Sequence, residues 1–156
     1  MIQKRVDGPT NDLSVYPARG LVVEDSRAVR AMVSRFLIAR HIIATESSDG
    51  LCAWHLLMKQ RFDVVITDVE MPLWTGLDLV HAMRTSHNLW IRSTPVIVTS
   101  SLKSEAINDA VTSFPSTYFM PKPLEVAELD VMLRLVATMH RMRRPPILNG
   151  LSSRNF

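Results

Sequence analysis

The sequence predicts an α/β fold: a five-stranded, all-parallel, doubly wound sheet in the order 2-1-3-4-5 with helices on both faces. Three observations carry this expectation. The apolar runs Leu21-Val22-Val23, Val64-Val65-Ile66 and Val96-Ile97-Val98 are continuous, not alternating, as in strands covered on both faces. Segments of helical spacing alternate with them to give five β/α units, and right-handed crossovers then leave few topologies. Four strand-like runs end in side chains that carry chemistry: Glu24-Asp25, Asp68, Thr99-Ser100-Ser101 and, after Pro121, Lys122. In an open parallel sheet such ends converge on one crevice.

The elements follow in order. Residues 1–18 lack apolar periodicity and contain Asp7-Gly8-Pro9 and Tyr16-Pro17, so they read as an irregular arm. A strand at about 20–24 leads to a helix at about 26–40, in which Val29, Met32, Val33, Phe36 and Leu37 recur at helical spacing and Ser26 serves as the cap. A weaker strand at 42–47 precedes Ser48-Asp49-Gly50 and a helix at about 50–60. The strand at 63–68 is followed by a loop and a helix at about 76–86, with Gly76 supplying backbone freedom at its entry. A fourth helix at about 103–113 places Ala106, Ile107, Ala110, Val111 and Phe114 on one face. A fifth at about 124–143 turns Leu129, Met132, Leu133, Val136 and Met139 inward, and Pro145-Pro146 stops it.

At 156 residues the chain fits one domain, over 19–143, followed by a short tail at 144–156. Its single cysteine, Cys52, excludes an internal disulfide. No run approaches the roughly 18 apolar residues of a membrane span, and no signal-peptide layout is present, so a soluble, cytoplasmic protein with no membrane partner is expected. The net charge of +3 is concentrated in Arg134, Arg141, Arg143, Arg144 and Arg154. Cations near a helix C-terminus complement its dipole, so no nucleic-acid partner is expected from them. The five histidines lack metal spacing, and Trp54, Trp74 and Trp90 read as packing or surface residues, Trp74 standing in the loop beside Asp68 with covering it as the alternative.

An ionised carboxylate withdrawn from water needs a cation or hydrogen-bond donors. Glu24, Asp25 and Asp68 with the one ammonium of Lys122 leave an excess of negative charge. Hard oxygen donors of this kind suit Mg²⁺. A structural ion pair between Asp68 and Lys122, with Glu24 capping a loop, is the alternative for any one of these residues taken alone.

Taken together, Leu21-Val22-Val23-Glu24-Asp25-Ser26, Asp68-Val69-Glu70-Met71-Pro72 with Gly76, Pro95-Val96-Ile97-Val98-Thr99-Ser100 and Phe119-Met120-Pro121-Lys122-Pro123 resemble the receiver domain of two-component response regulators, the chemotaxis regulator among them. The resemblance covers about residues 19–142 and implies a flavodoxin-like arrangement. It also implies that Asp68 accepts a phosphoryl group from a sensor histidine kinase or phosphotransfer protein and later loses it to water, so activity is limited to self-phosphorylation and autodephosphorylation. A carboxylate is an accepted nucleophile for such transfers, which rest on positioning and charge neutralisation.

By the same resemblance, Asp25 and Asp68 bind Mg²⁺ directly, Glu24 through water and Glu70 through its backbone carbonyl. Lys122 and the Ser100 hydroxyl meet phosphoryl oxygens. Strand alternation lets only one of the neighbours Thr99 and Ser100 face the site, and the family's count from Pro95 selects Ser100. Phe119 is the second switch residue. Output is expected through the surface of the fourth helix, fifth strand and fifth helix toward a downstream protein, with room for a homodimer. Glu70, two past the acceptor, is placed either to repel the phosphoryl group or to orient water.

About a dozen residues follow the fifth helix, fewer than a DNA-binding module needs, so a stand-alone regulator or a receiver excised from a hybrid histidine kinase is expected. A Mg²⁺-dependent phosphatase with an aspartate nucleophile is the alternative from another class. It wants a second Asp where Glu70 stands. A flavin module on this fold fits poorly, because Glu24-Asp25 would repel a phosphate after the first strand.

Overall fold

The computed structural model describes residues 15–102 and 104–143. Most of the expected 1–18 arm, the 144–156 tail, and Arg144 and Arg154 of the basic cluster therefore lie outside the described residues. In chain order the elements are β1 (Arg19–Val23), α1 (Arg27–Ile38), β2 (Ile43–Ser47), α2 (Gly50–Lys59), β3 (Val64–Asp68), α3 (Gly76–Thr85), α4 (Leu89–Ser93), β4 (Val96–Ser100), α5 (Glu105–Thr112), β5 (Thr117–Pro121) and α6 (Val126–Arg143). All four strand pairings are parallel, in the order β2-β1-β3-β4-β5. The expected sheet is the observed one.

Alternate strand residues feed two cores. Leu21, Val23, Val65, Val96 and Val98 pack under Ala53 and Leu57 of α2, Leu79, Val80 and Met83 of α3, Ile91 of α4 and Val111 of α5. Val22, Val64, Ile66, Ile97 and Met120 pack under Val33 and Leu37 of α1 and Leu129, Leu133 and Val136 of α6. β3 and β4 are buried at every position, which is why their sequences read as unbroken apolar runs. β2, an edge strand, is buried only at Ser47 and reads more weakly.

Local signals fix the helix starts. The Ser26 hydroxyl accepts from Val29 N, Asp49 accepts from Cys52 N, and Thr75 and Asp78 form a reciprocal capping box on α3. Two members of the apolar stripes read from spacing lie outside the core: Met32 and Ala106 are exposed. On α5 only Val111 is fully buried, so its apolar stripe is narrower than periodicity implied. The structure also adds α4, a single turn that sequence periodicity passed over, so the expected fourth and fifth helices are α5 and α6. Asn88 caps α4 by accepting from Trp90 N and Ile91 N. Among the described residues no helix is long and apolar enough to cross a membrane.

Two polar clusters tie the periphery together. Asp130 of α6 accepts from Tyr16 Oη at 2.8 Å, from Arg134 Nε at 2.9 Å and from Arg40 Nε, fastening the end of the arm and the end of α1 to α6. The Arg40 hydrogen bond leads the causes that hold the Asp130 carboxyl down at about 2.

Arg84 of α3 is the second. Its Nε donates to Pro115 O at 2.7 Å, Nη1 to Arg92 O and Thr94 O at 3.0 and 2.9 Å, and Nη2 to Ser116 O and Thr117 Oγ1 at 3.0 and 3.1 Å. All five guanidinium donors are thereby used, and every acceptor is neutral. Burial lowers the Arg84 pKa to about 10, which leaves it charged at neutral pH. One side chain thus joins α3 to the segments that enter β4 and β5. Arg84→Ala is expected to destabilise the fold by about 2–3 kcal/mol, because several carbonyls lose a charged donor at once. Arg84→Lys should recover less than about half of that, since an ammonium cannot reproduce the planar fork. Urea midpoints of the three proteins check both values.

Candidate functional site

The carboxyl ends of β1, β3, β4 and β5 bring the expected residues together. Asp68 closes β3 and is 3% exposed; Glu24, one residue past β1, is 4% exposed, whereas Asp25 is open to solvent. One carboxylate oxygen from each of Glu24, Asp25 and Asp68 lies within 4.8 Å of the others. Lys122 reaches this cluster from the end of β5, with Nζ 2.8 Å from Glu24 Oε2 and 3.1 Å from Asp68 Oδ1. Its own N–H donates to Ser100 O at 2.8 Å, which fixes the loop against β4.

The electrostatics are unbalanced. Glu24 is satisfied, since its other oxygen accepts from Ser26 N at 3.1 Å. Asp68 Oδ1 is fully buried and, beyond its ion pair with Lys122, has no hydrogen-bond partner among the described residues. Burial, then repulsion from Glu24, raises the Asp68 carboxyl from 3.8 to about 6, and the attraction of Lys122 only partly offsets them. A buried oxygen short of partners beside two further carboxylates is a donor set suited to a hard divalent cation.

Gly76 is needed here for space. A Cβ at Gly76 would lie 2.1 Å from the backbone oxygen of Asp68, well inside contact distance. Its φ is unremarkable, so the expected need for backbone freedom is corrected: the start of α3 packs directly on the end of β3. Trp74 takes the packing role read for it. It packs on α2, with its Cβ 3.0 Å from the position a Gly50 Cβ would take, so it supports the loop from the side of α2. The crest of that loop is Leu73, 99% exposed at φ 66°.

The two hydroxyls at the end of β4 differ in employment. Thr99 Oγ1 donates to Thr67 O at 3.3 Å inside the sheet, while Ser100 Oγ accepts from Leu102 N at 3.0 Å. Phe119 is half-buried against the same core as Val98, so it and Ser100 stand on one face of the sheet. Glu70 turns toward the end of β4, where its carboxylate accepts from Ser101 Oγ at 2.8 Å and Ser101 N at 3.4 Å. Burial works to raise the Glu70 pKa, but hydrogen bonds from Ser101, then Asp68 and Ser100, outweigh it and the carboxyl is lowered. The Glu70–Ser101 contact was not foreseen from the sequence. Continuing the register Asp68↔Thr99 by two residues would have found it.

A family model described as the response regulator receiver domain matches residues 21–134. The chain belongs to this family. Among curated relatives, the response regulator MprA of Mycobacterium sp. (strain KMS) is 30% identical over 118 residues, covering 76% of this chain and 50% of MprA. Protein PetR of Rhodobacter capsulatus is 28% identical over 130 residues, 83% of this chain and 52% of PetR. The receiver chain thus spans about half the length of these relatives. Among solved structures, the Vibrio cholerae chemotaxis protein CheY4 superposes with a TM-score of 0.70 at 31% identity, over 76% of this chain and 98% of that one. The aspartate-nucleophile phosphatase reading draws no support from these matches.

The raised pKa of Asp68 makes a stability prediction for the metal-free receiver. The folded carboxyl holds its proton more tightly than the unfolded one, so stability falls as pH rises from 3.8 to about 6, and the deficit persists above. Asp68→Asn should therefore stabilise the protein by about 3 kcal/mol at neutral pH. The gain should vanish below about pH 4, where wild-type Asp68 is already protonated. Thermal unfolding in chelator across this range checks it.

Proposed function

We propose that residues 19–143 form a working phosphoacceptor unit of a two-component phosphorelay. In this reading Asp68 takes a phosphoryl group from the phosphohistidine of a sensor histidine kinase or phosphotransfer protein. A carboxylate oxygen of Asp68 attacks phosphorus, the P–N bond to the imidazole breaks as the P–O bond forms, and water later cleaves the acyl phosphate. The observation that carries the reading is the convergence of Glu24, Asp25 and Asp68 within 4.8 Å, with Lys122 Nζ 3.1 Å from the Asp68 oxygen.

Each residue has a separate task. Asp68 is nucleophilic because burial and Glu24 leave its charge poorly stabilised. Lys122, already poised on that oxygen, neutralises charge that arrives with the phosphoryl group. Mg²⁺, held by Asp25 and Asp68 with Glu24 through water and the Glu70 carbonyl, would neutralise the equatorial oxygens when bound. The Ser100 hydroxyl donates to a phosphoryl oxygen, Thr99 being committed to Thr67 O. The movement of Ser100 makes room for Phe119 on the same face, and so changes the α5–β5–α6 surface. Val126, Val131 and Leu135 stand exposed on α6, apolar enough to receive a downstream protein or a second copy of the chain.

Incubation with acetyl phosphate and Mg²⁺ should add one phosphoryl mass to the wild type, labile to hydroxylamine, and none to Asp68→Asn. Equal incorporation in both proteins would move the acceptor elsewhere. Asp25→Ala should weaken Mg²⁺ by about 10- to 100-fold, the loss typical when the support of a metal site is removed. Calorimetric titration of Mg²⁺ measures this, and an unchanged affinity would remove Asp25 from the ligand set.

A further inference from the structure

The end of β4 offers donors, and in this structure they are in use. Parallel pairing sets Asp68 opposite Thr99, so Glu70 arrives opposite Ser101. The Glu70 carboxylate takes the Ser101 hydroxyl at 2.8 Å and the Ser101 backbone N–H at 3.4 Å, one oxygen to each. Ser100, one residue earlier, stands at the same strand end, where its hydroxyl oxygen accepts from Leu102 N at 3.0 Å. An anion therefore already sits two residues from Asp68 and holds both donors of Ser101.

We infer that Glu70 is a built-in competitor of the phosphoryl group, an internal carboxylate that occupies the Ser101 donors at the end of β4 until phosphorylation displaces it. The inference rests on the phosphoacceptor reading above. Carboxylate and phosphoryl oxygens are anionic acceptors of the same kind, and charge-assisted bonds to either are stronger than neutral ones. Both cannot hold the same Ser101 donors, and two anions side by side repel. Glu70 is only half-buried, so it has a path to water when it is displaced. The site thus exchanges one anion for another, and Glu70 sets how strongly a new anion must bind to open the end of β4.

This differs from repulsion by a nearby charge, because a competitor must be anchored. Ser101 is the anchor, and removing its hydroxyl should loosen Glu70 without touching the charge. The test is a two-by-two cycle of Glu70→Ala and Ser101→Ala, with calorimetric titration of beryllofluoride in excess Mg²⁺. Glu70→Ala should bind about tenfold more tightly than wild type, the worth of one charge-assisted hydrogen bond. Ser101→Ala should tighten binding several-fold in the wild-type background and not at all in Glu70→Ala.

Equal effects of Ser101→Ala in the two backgrounds, or no tightening in Glu70→Ala, would overturn the competitor while leaving the phosphoacceptor in place. Absence of beryllofluoride binding in all four proteins would strike the phosphoacceptor reading itself, and the competitor with it. Hydrogen exchange at the Ser101 amide gives an independent check in the free protein: it should quicken in Glu70→Ala, and an unchanged rate would count against the contact.

Discussion

The contact on which the site depends is that of one ammonium with two buried carboxylates. Lys122 follows the edge strand β5, yet its side chain passes over β4 to meet Asp68 at the end of β3 and Glu24 just past β1. No other cation stands in contact with these two carboxylates among the described residues. Without it, two acidic groups less than a tenth exposed would face each other across low-dielectric surroundings, and one would be forced to keep its proton. The ammonium is nonetheless too little for the charge around it. That shortfall raises the Asp68 carboxyl to about 6 and leaves one of its oxygens short of hydrogen bonds. The same group that stabilises the fold therefore sets the site's appetite for further positive charge.

The sheet was legible because burial on both faces writes itself into the chain as unbroken runs, and because polar residues at strand ends have few other places to converge. Glu24, Asp25, Asp68 and Lys122 were found that way, by residue type at the end of an apolar run, whereas Ser100 was told from Thr99 only through the family resemblance. What stayed hidden shares a different character. α4 is one turn long, too short for periodicity, although Asn88 before Leu89-Trp90-Ile91 was a cap signal available to be read. The reason for Gly76 is a distance to another element, which no local pattern encodes.

Arg84 was invisible for a related reason. A buried arginine is normally sought through its carboxylate, and this one has none among its five acceptors. Main-chain oxygens have no letter in the sequence. Glu70 belongs to the same class, since its meaning depends on which residue the parallel register sets across from it. Side chains whose partners are fixed by topology are read only once the topology is known.

The Arg84 arrangement has a consequence for how this chain can vary. Four of its five acceptors are backbone carbonyls, at positions 92, 94, 115 and 116, and every amino acid supplies a carbonyl. The side chains at those positions are therefore released from the duty of holding the clamp. Arg92 and Ser116 could drift, provided the turn geometry survives, while the guanidinium stays indispensable. The structural burden falls on a single codon, and the surrounding loops gain latitude to diversify.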